Sequence, residues 1–339
     1  MNFQSFLACL FLLAVGAVAL RGVPFAEDVF ATGDEDGLRR LAGLPIHDLT
    51  ALKRRHAAAS PRYDIGLFGN SRVVQVGAAD IGIDEDRFFN FAIPGTTLRQ
   101  SVELLELLVT DGTAPRMAVI SLDNQVLHFQ SRLAYPGLIR RLPAIALGAW
   151  RILRSDDGGW LLAARALVDD VMTGWAQIRH VYSFGQIYSR LSFVFPEVFA
   201  DRTAFELTFR RDGSRQMALP SARTDPVTLT RSGPFVLAQA YLDQDLTRLA
   251  RIQARGVIVL LYESPLYPGD AVQNASAAAS DARSLRTLLY ERCRALALTC
   301  QPPARLGRSG ETPFWPDCCH APAALLGPYI ADLIAAAGA

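Results

Sequence analysis

Residues Tyr63–Arg72 read YDIGLFGNSR, and this stretch decides the predicted fold. The run Asp64–Phe68 is predicted to be a buried strand, and a short helical segment is expected over Ser71–Val76. A strand followed directly by a helix is how a parallel sheet presents a side chain at the carboxyl ends of its strands. The stretch therefore predicts an α/β fold that carries the Ser71 hydroxyl at this edge.

Strand and helix patterns alternate on both sides of a long interruption. The predicted strands after the first are Arg87–Ala92, Met117–Leu122, Gly256–Tyr262 and Ala297–Cys300, and the predicted helices are Thr97–Val109 with Thr97 as N-cap, Val236–Ala254, Asp281–Leu296 and Pro322–Ala337. This alternation predicts a mainly parallel sheet with helices on both faces.

The N-terminus carries an export signal. Phe6–Leu20 is an unbroken run of apolar or small residues, and Ala17–Ala19 offers a small-residue cleavage site. Counted from Phe3, the run approaches the length of a membrane-spanning helix. Residues 1–21 are therefore predicted to be a signal peptide or a signal anchor (residues 3–20), and the body is expected in the periplasm or elsewhere in the cell envelope.

Two regions outside the alternating pattern complete the domain prediction. Residues 22–61 are interpreted as a linker plus a packing helix over Leu49–Ala59, with Asp48 as its N-cap and Lys53 on its polar side. Residues 62–339 form the main domain, which an insertion at about 128–235 interrupts. This insertion is expected to cover the site like a lid, to contact a partner or the membrane surface, or to be additional core.

Within the insertion, Phe205–Leu219 is predicted to form a hairpin that turns at Asp212 and Gly213.

Composition narrows the function classes. The 339 residues have a net charge of +1, which gives no indication of nucleic-acid binding. Four cysteines near the C-terminus permit a disulfide in an oxidising compartment, without fixing the pairing. No paired C-x-x-C spacing occurs, and no metal site is predicted. The four cysteines are Cys293, Cys300, Cys318 and Cys319.

A split Ser-His-Asp constellation is the strongest chemical pattern. Ser71 follows the first strand, and Asp317 and His320 lie three residues apart near the C-terminus. A carboxylate beside an imidazole can hold the tautomer that accepts a proton from serine. The alternatives are that Ser71 is only an N-cap and that Asp317 caps a helix beside an incidental histidine.

Gly95 and Asn124 follow the second and third strands, so the same edge of the sheet would collect them. A backbone N–H group and a side-chain amide are the donors that an oxyanion hole uses.

On these residues the sequence resembles the SGNH (GDSL-type) hydrolase superfamily over Asp64–Asn124 and Gly256–Ala337. The resemblance implies a flavodoxin-like α/β/α sandwich. It also implies Ser71 as nucleophile, His320 as general base and Asp317 as the acid that orients it. Ser71, Gly95 and Asn124 would form the oxyanion hole. The sequence departs from the family pattern where Gly-Asn-Ser replaces Gly-Asp-Ser and where Leu122 replaces a glycine.

The resemblance implies an esterase or O-acyltransferase that acts on O-acyl groups, chiefly acetyl, of an envelope or extracellular glycan. Such a reaction needs no cofactor. Expected partners are an acylated glycan or another ester substrate, with a membrane-bound acyl-donor protein as a further candidate. Arg72 is a candidate for binding an anionic substrate group, and Ser264 for shaping the pocket. The alternatives are a catalytically silent scaffold or glycan-binding subunit and a membrane-associated interaction protein.

Overall fold

The structure, a computed structural model, describes the parts of the chain that carry the predicted sheet. Among the helices of the described residues, none combines the length and the apolar composition needed to cross a membrane. Residues 1–21, Asn124, Asp317 and most of the predicted insertion lie outside the described residues. The described residues are 28–41, 44, 46–60, 62–122, 208–216, 235–265, 277–303 and 320–338.

Strands and helices alternate as predicted, with ends that differ from the prediction by a few residues. The strands are β1 Ile65–Phe68, β2 Phe88–Asn90, β3 Met117–Leu122, β4 Thr208–Phe209, β5 Arg215–Gln216, β6 Ile258–Glu263 and β7 Thr299–Gln301. The helices are α1 Val29–Thr32, α2 Glu35–Arg40, α3 Ile46–Ala59, α4 Leu98–Asp111, α5 Phe235–Gln253, α6 Ala277–Ala295 and α7 Ala323–Ala336.

The main sheet has the strand order β2-β1-β3-β6-β7, and every neighbouring pair is parallel. Without the β4–β5 hairpin this is the 2-1-3-4-5 order of flavodoxin-like sheets. The predicted α/β fold is confirmed. In this order the chain leaves β1 toward β2 on one side, and β3 lies on the other side. The crevice between the carboxyl ends of β1 and β3 is therefore the expected ligand site.

Helices pack against the sheet and bury its central strands. Every residue of β1 and β3 is buried, as expected for a sheet with a layer on each side. Helices α3, α4, α5 and α6 pack side by side in this order, whereas α7 packs against the 3-10 turn Ala79–Ile81. Thr97 caps α4 as predicted and forms a capping box with Gln100.

The predicted hairpin within the insertion forms, and it covers the β2 edge of the sheet. β4 and β5 pair antiparallel, with Thr208 opposite Gln216. The main-chain N–H of Asn90 donates to the main-chain oxygen of Asp212 at 2.7 Å. The main-chain N–H of Arg215 donates to the main-chain oxygen of Val74, also at 2.7 Å. This part of the insertion is additional core, and it protects an edge that would otherwise expose unpaired backbone groups.

The segment before the sheet is more deeply packed than its polar sequence indicated. Phe30, Leu38 and Leu52 are buried in the same core as the sheet. Helix α3 begins at Ile46, so the prediction that Asp48 is its N-cap is wrong, and Asp48 lies in the first turn. The described part of the predicted linker 22–61 therefore contributes to the core of the domain.

Lys53 does not lie on a polar face, contrary to prediction, because its side chain is fully buried. Its Nζ donates to the main-chain oxygens of Asn90 at 2.5 Å, Ala92 at 2.8 Å and Gly213 at 2.9 Å. Three acceptors around one nitrogen match the three N–H groups of an ammonium. Lys53 thus joins α3 to the end of β2 and to the hairpin turn.

Burial and a nearby carboxylate act on the Lys53 ammonium in opposite directions. Burial lowers the pKa of Lys53 to about 7, and the Asp212 carboxylate opposes this shift. Asp212 is itself held in place, since it accepts from the Ala78 N–H at 2.7 Å and from the Ser214 hydroxyl at 2.6 Å.

A disulfide joins Cys293 at the end of α6 to Cys300 in β7, with 6.2 Å between their Cα atoms. It links the last helix before the edge strand to that strand. Cys318 and Cys319, which the sequence left as alternative partners, lie outside the described residues. A bridge of this kind is typical of proteins in oxidising compartments.

Replacing Lys53 should destabilise the fold far more than replacing its neighbour. Lys53→Met removes a donor from three buried oxygens, and at about 1 kcal/mol or more each we expect a loss of at least about 3 kcal/mol in the free energy of unfolding. Lys53→Arg should also be destabilising, because a guanidinium spreads its N–H groups over three nitrogens.

Arg54→Met is the matched control on the same helix. Arg54 forms an exposed ion pair with Asp111 at 2.6 Å, which contributes about 1 kcal/mol or less. Denaturant unfolding monitored by circular dichroism measures all three variants. Equal losses for Lys53→Met and Arg54→Met would contradict the role assigned to Lys53.

Reduction of the Cys293–Cys300 disulfide should lower thermal stability. The bridge spans a sequence separation of 7. Closing so short a loop is worth about 2 to 3 kcal/mol on the chain-entropy model. A reductant should lower the melting temperature of the wild type and leave the Cys293→Ala/Cys300→Ala double variant unchanged. A wild-type melting temperature that does not respond to the reductant excludes this bridge.

Candidate active site

Ser71 lies in a tight turn directly after β1. Gly69 has a φ of 150°, and a Cβ there would lie 2.8 Å from the Val73 side chain and 3.0 Å from that of Ser121, so glycine is required. The main-chain oxygen of Asn70 accepts hydrogen bonds from the N–H groups of Val73 and Val74, both at 3.2 Å. These contacts bring Ser71 to the carboxyl end of β1, at the crevice between β1 and β3.

The prediction of a helix over Ser71–Val76 is wrong, because this segment forms turns and no regular helix. The Asn70 side-chain oxygen accepts from the Arg72 N–H at 3.0 Å, so Asn70 takes the capping role considered for Ser71. Without a helix, no macrodipole acts on the serine. The Ser71 hydroxyl is left for another contact.

That contact is with His320. Its Nε2 lies 3.0 Å from the Ser71 Oγ, although the two residues are 249 positions apart. This distance lies within the range of a nucleophile and its general base. If Nδ1 carries the ring proton, Nε2 accepts a hydrogen bond from the Ser71 hydroxyl. The structure therefore brings together two of the predicted site residues.

The loop after β2 is tied to the same turn and carries Gly95. The Thr96 hydroxyl lies 2.8 Å from the Gly69 oxygen and 2.7 Å from that of Ile93. The Ile93 N–H also donates to the Gly69 oxygen at 3.0 Å. Within the described residues, the N–H groups of Ser71 and Gly95 form no hydrogen bond. The oxyanion hole that the sequence predicted from these two N–H groups stays a prediction.

Ser264 is buried next to the turn that carries Ser71. It is 5% exposed, its hydroxyl lies 2.7 Å from that of Ser121, and its N–H donates to the Leu122 oxygen at 2.8 Å. This contact joins the ends of β3 and β6, beside Gly69. The side chain is engaged in the core rather than directed to a ligand. The Ser121 hydroxyl was missed at the sequence level, where its signal was a polar residue inside an apolar strand.

The remaining predicted site residues are only partly described. Arg72 is 8% exposed, and its role in binding an anionic substrate group stays a prediction. Asn124 and Asp317 lie outside the described residues, and their roles remain predictions. In the described part of the chain, no cluster of three or more His, Cys, Asp or Glu side chains could hold a metal ion.

Asn90 fastens the Ser71 turn to the end of β2. Its side-chain amide donates to the Val73 oxygen at 2.9 Å and to the Val76 oxygen at 2.8 Å. Its own side-chain oxygen accepts from the Ala92 N–H at 2.8 Å. The only sequence signal for this role is one polar residue between Phe89 and Phe91, both of which are buried.

The helix that follows His320 docks on the same part of the chain. A Cβ on Gly327 of α7 would lie 2.2 Å from the main-chain oxygen of Asp80, so the helix meets this turn through a glycine. The side chain of Gln75 donates to the main-chain oxygen of Ala321, next to His320. Two contacts thus join the histidine-bearing element to the segment that carries Ser71.

Comparison of the chain with models of protein families, with curated proteins and with solved structures found no match. The site is therefore interpreted from its own geometry and from the sequence pattern.

Gly327→Ala should destabilise the protein, although alanine has a higher helix propensity than glycine. Propensity alone would make this substitution stabilising by about 1 kcal/mol in a helix. The close approach to Asp80 instead predicts a loss of about 1 to 3 kcal/mol in the free energy of unfolding, because α7 must move away. Ala335→Val, at an exposed position of α7, is the control for added volume. A stabilised Gly327→Ala variant would contradict the tight docking of α7.

Proposed function

We propose that this chain is a serine-dependent esterase or O-acyltransferase that acts on O-acyl groups, chiefly acetyl, of an envelope or extracellular glycan. The observation that carries the proposal is the 3.0 Å distance between His320 Nε2 and Ser71 Oγ. A serine and a histidine in this relation are the nucleophile and the general base that acyl transfer needs.

The first half-reaction forms an acyl-enzyme. His320 Nε2 takes the hydroxyl proton as Ser71 Oγ bonds to the ester carbonyl carbon, and the carbonyl oxygen becomes an oxyanion. The N–H groups of Ser71 and Gly95 stabilise this charge, with Asn124 as the proposed third donor. When the intermediate collapses, the ester C–O bond breaks, and the leaving alcohol takes the proton from His320.

The second half-reaction releases the acyl group. Water or a sugar hydroxyl gives its proton to His320 and attacks the acyl carbon, and Ser71 Oγ leaves and recovers the proton. Water as acceptor makes the enzyme an esterase, and a sugar makes it a transferase. Asp317 is proposed to orient His320 and to stabilise the imidazolium in both steps.

The exported location and the glycan substrate are both proposed from the sequence, and one structural observation supports the exported location. The Cys293–Cys300 disulfide fits an oxidising compartment outside the cytoplasm. The apolar run at residues 3–20 favours export or anchoring. The catalytically silent scaffold remains the alternative, and the Ser71–His320 contact argues against it.

The direct test is labelling with a fluorophosphonate probe, which reacts with activated serines. The folded protein without residues 1–21 should be labelled, and Ser71→Ala and His320→Ala should lower the labelling rate about 10³-fold or more. Ser60→Ala is the matched control. Ser60 Oγ also lies 3.3 Å from a histidine, His56, but that Nε2 is held by the Tyr63 hydroxyl at 2.7 Å.

Ser60→Ala should be labelled at the wild-type rate. A folded wild type that does not react with the probe would support the silent scaffold instead. Where labelling occurs, a chromogenic acetyl ester assayed with and without oligosaccharide acceptors separates hydrolysis from transfer. An acceptor that increases turnover and itself becomes acetylated identifies a transferase.

A further inference from the structure

Gln75 connects the turn that carries the serine to the residue beside the histidine. We propose that Gln75 is a positioning residue that holds His320 within hydrogen-bonding distance of Ser71. Its side-chain Nε2 donates to the main-chain oxygen of Ala321. Gln75 is 8% exposed and Ala321 is 4% exposed, so the contact is shielded from water. This inference rests on the proposed function.

The backbone around Gln75 is fixed on both sides, which makes its side chain a rigid support. The Val74 oxygen accepts from the Arg215 N–H at 2.7 Å, and the Val76 oxygen accepts from the Asn90 amide at 2.8 Å. The turn that sets the position of Ser71 therefore also sets the position of the Gln75 amide. One short segment of chain therefore sets the positions of both Ser71 and His320.

The chemistry of the contact calls for a neutral donor. A main-chain oxygen accepts hydrogen bonds and donates none, and a glutamine amide supplies two N–H groups. A glutamate of the same shape would place an acceptor against an acceptor, and a methionine would supply no donor. Loss of this contact removes one of the two contacts that hold the element with His320 against the segment that carries Ser71. Misplacement of a catalytic group by about 1 Å can cost about 10²-fold in rate.

Gln75→Met and Gln75→Glu test the inference, with Gln253→Met as the matched control. Gln253 makes the same type of contact, from its Nε2 to the Ala297 oxygen at 2.9 Å, but next to the amino end of β7. Both Gln75 variants should lower the fluorophosphonate labelling rate about tenfold or more. Gln253→Met should leave the rate unchanged.

A double-mutant cycle distinguishes positioning from general damage to the fold. If Gln75 acts through His320, Gln75→Met should cause no further loss in a His320→Ala background. The imidazole NMR signal of His320, assigned by its absence in His320→Ala, should also shift in Gln75→Met and stay in place in Gln253→Met. Equal losses in both backgrounds, or unchanged labelling and an unchanged His320 signal, would overturn the inference.

The two readouts separate this inference from the proposed function. If the wild type does not react with the probe, the proposed function fails, and the NMR signal alone decides whether Gln75 positions His320. If the wild type reacts and the Gln75 variants react equally fast, the proposed function stands and the inference about Gln75 fails.

Discussion

A single buried ammonium holds together three parts of the chain that are far apart in sequence. Lys53 extends from α3 to main-chain oxygens at the end of β2 and in the hairpin turn. A buried charge is costly unless it is fully paired, so these three segments must stay in place together. The need for a compact donor with three N–H groups explains a lysine here, in a chain whose 34 Lys and Arg residues include no other lysine.

The site depends on this arrangement because the same backbone supports the turn that carries Ser71. Asn90, whose main-chain oxygen binds Lys53, uses its side chain to hold the oxygens of Val73 and Val76. The loop that carries Gly95 is tied to Gly69. The position of the serine is therefore set by backbone contacts to neighbouring segments, and no helix is required behind it.

The strand order alone does not bring the histidine to the serine. β7 is at one edge of the sheet, and β6 and β3 separate it from β1. His320 reaches Ser71 because α7 packs against the turn at Asp80 and because Gln75 binds Ala321. The close packing at Gly327 leaves little freedom for this helix. The Ser71–His320 contact is thus a consequence of how α7 docks, in addition to the convergence of strand ends.

The sequence by itself determined the α/β class, the order of strands and helices, Thr97 as a cap and the hairpin at Asp212. These features follow from local patterns of apolar residues, caps and turns, which a short window contains. Only the tertiary structure decided that Lys53 is buried, that Asn70 rather than Ser71 caps the turn, and how the docking of α7 brings His320 to Ser71. The contacts of Lys53 and of Ser71 with His320 join residues distant in sequence, and burial and hydrogen-bond partners depend on the packed chain.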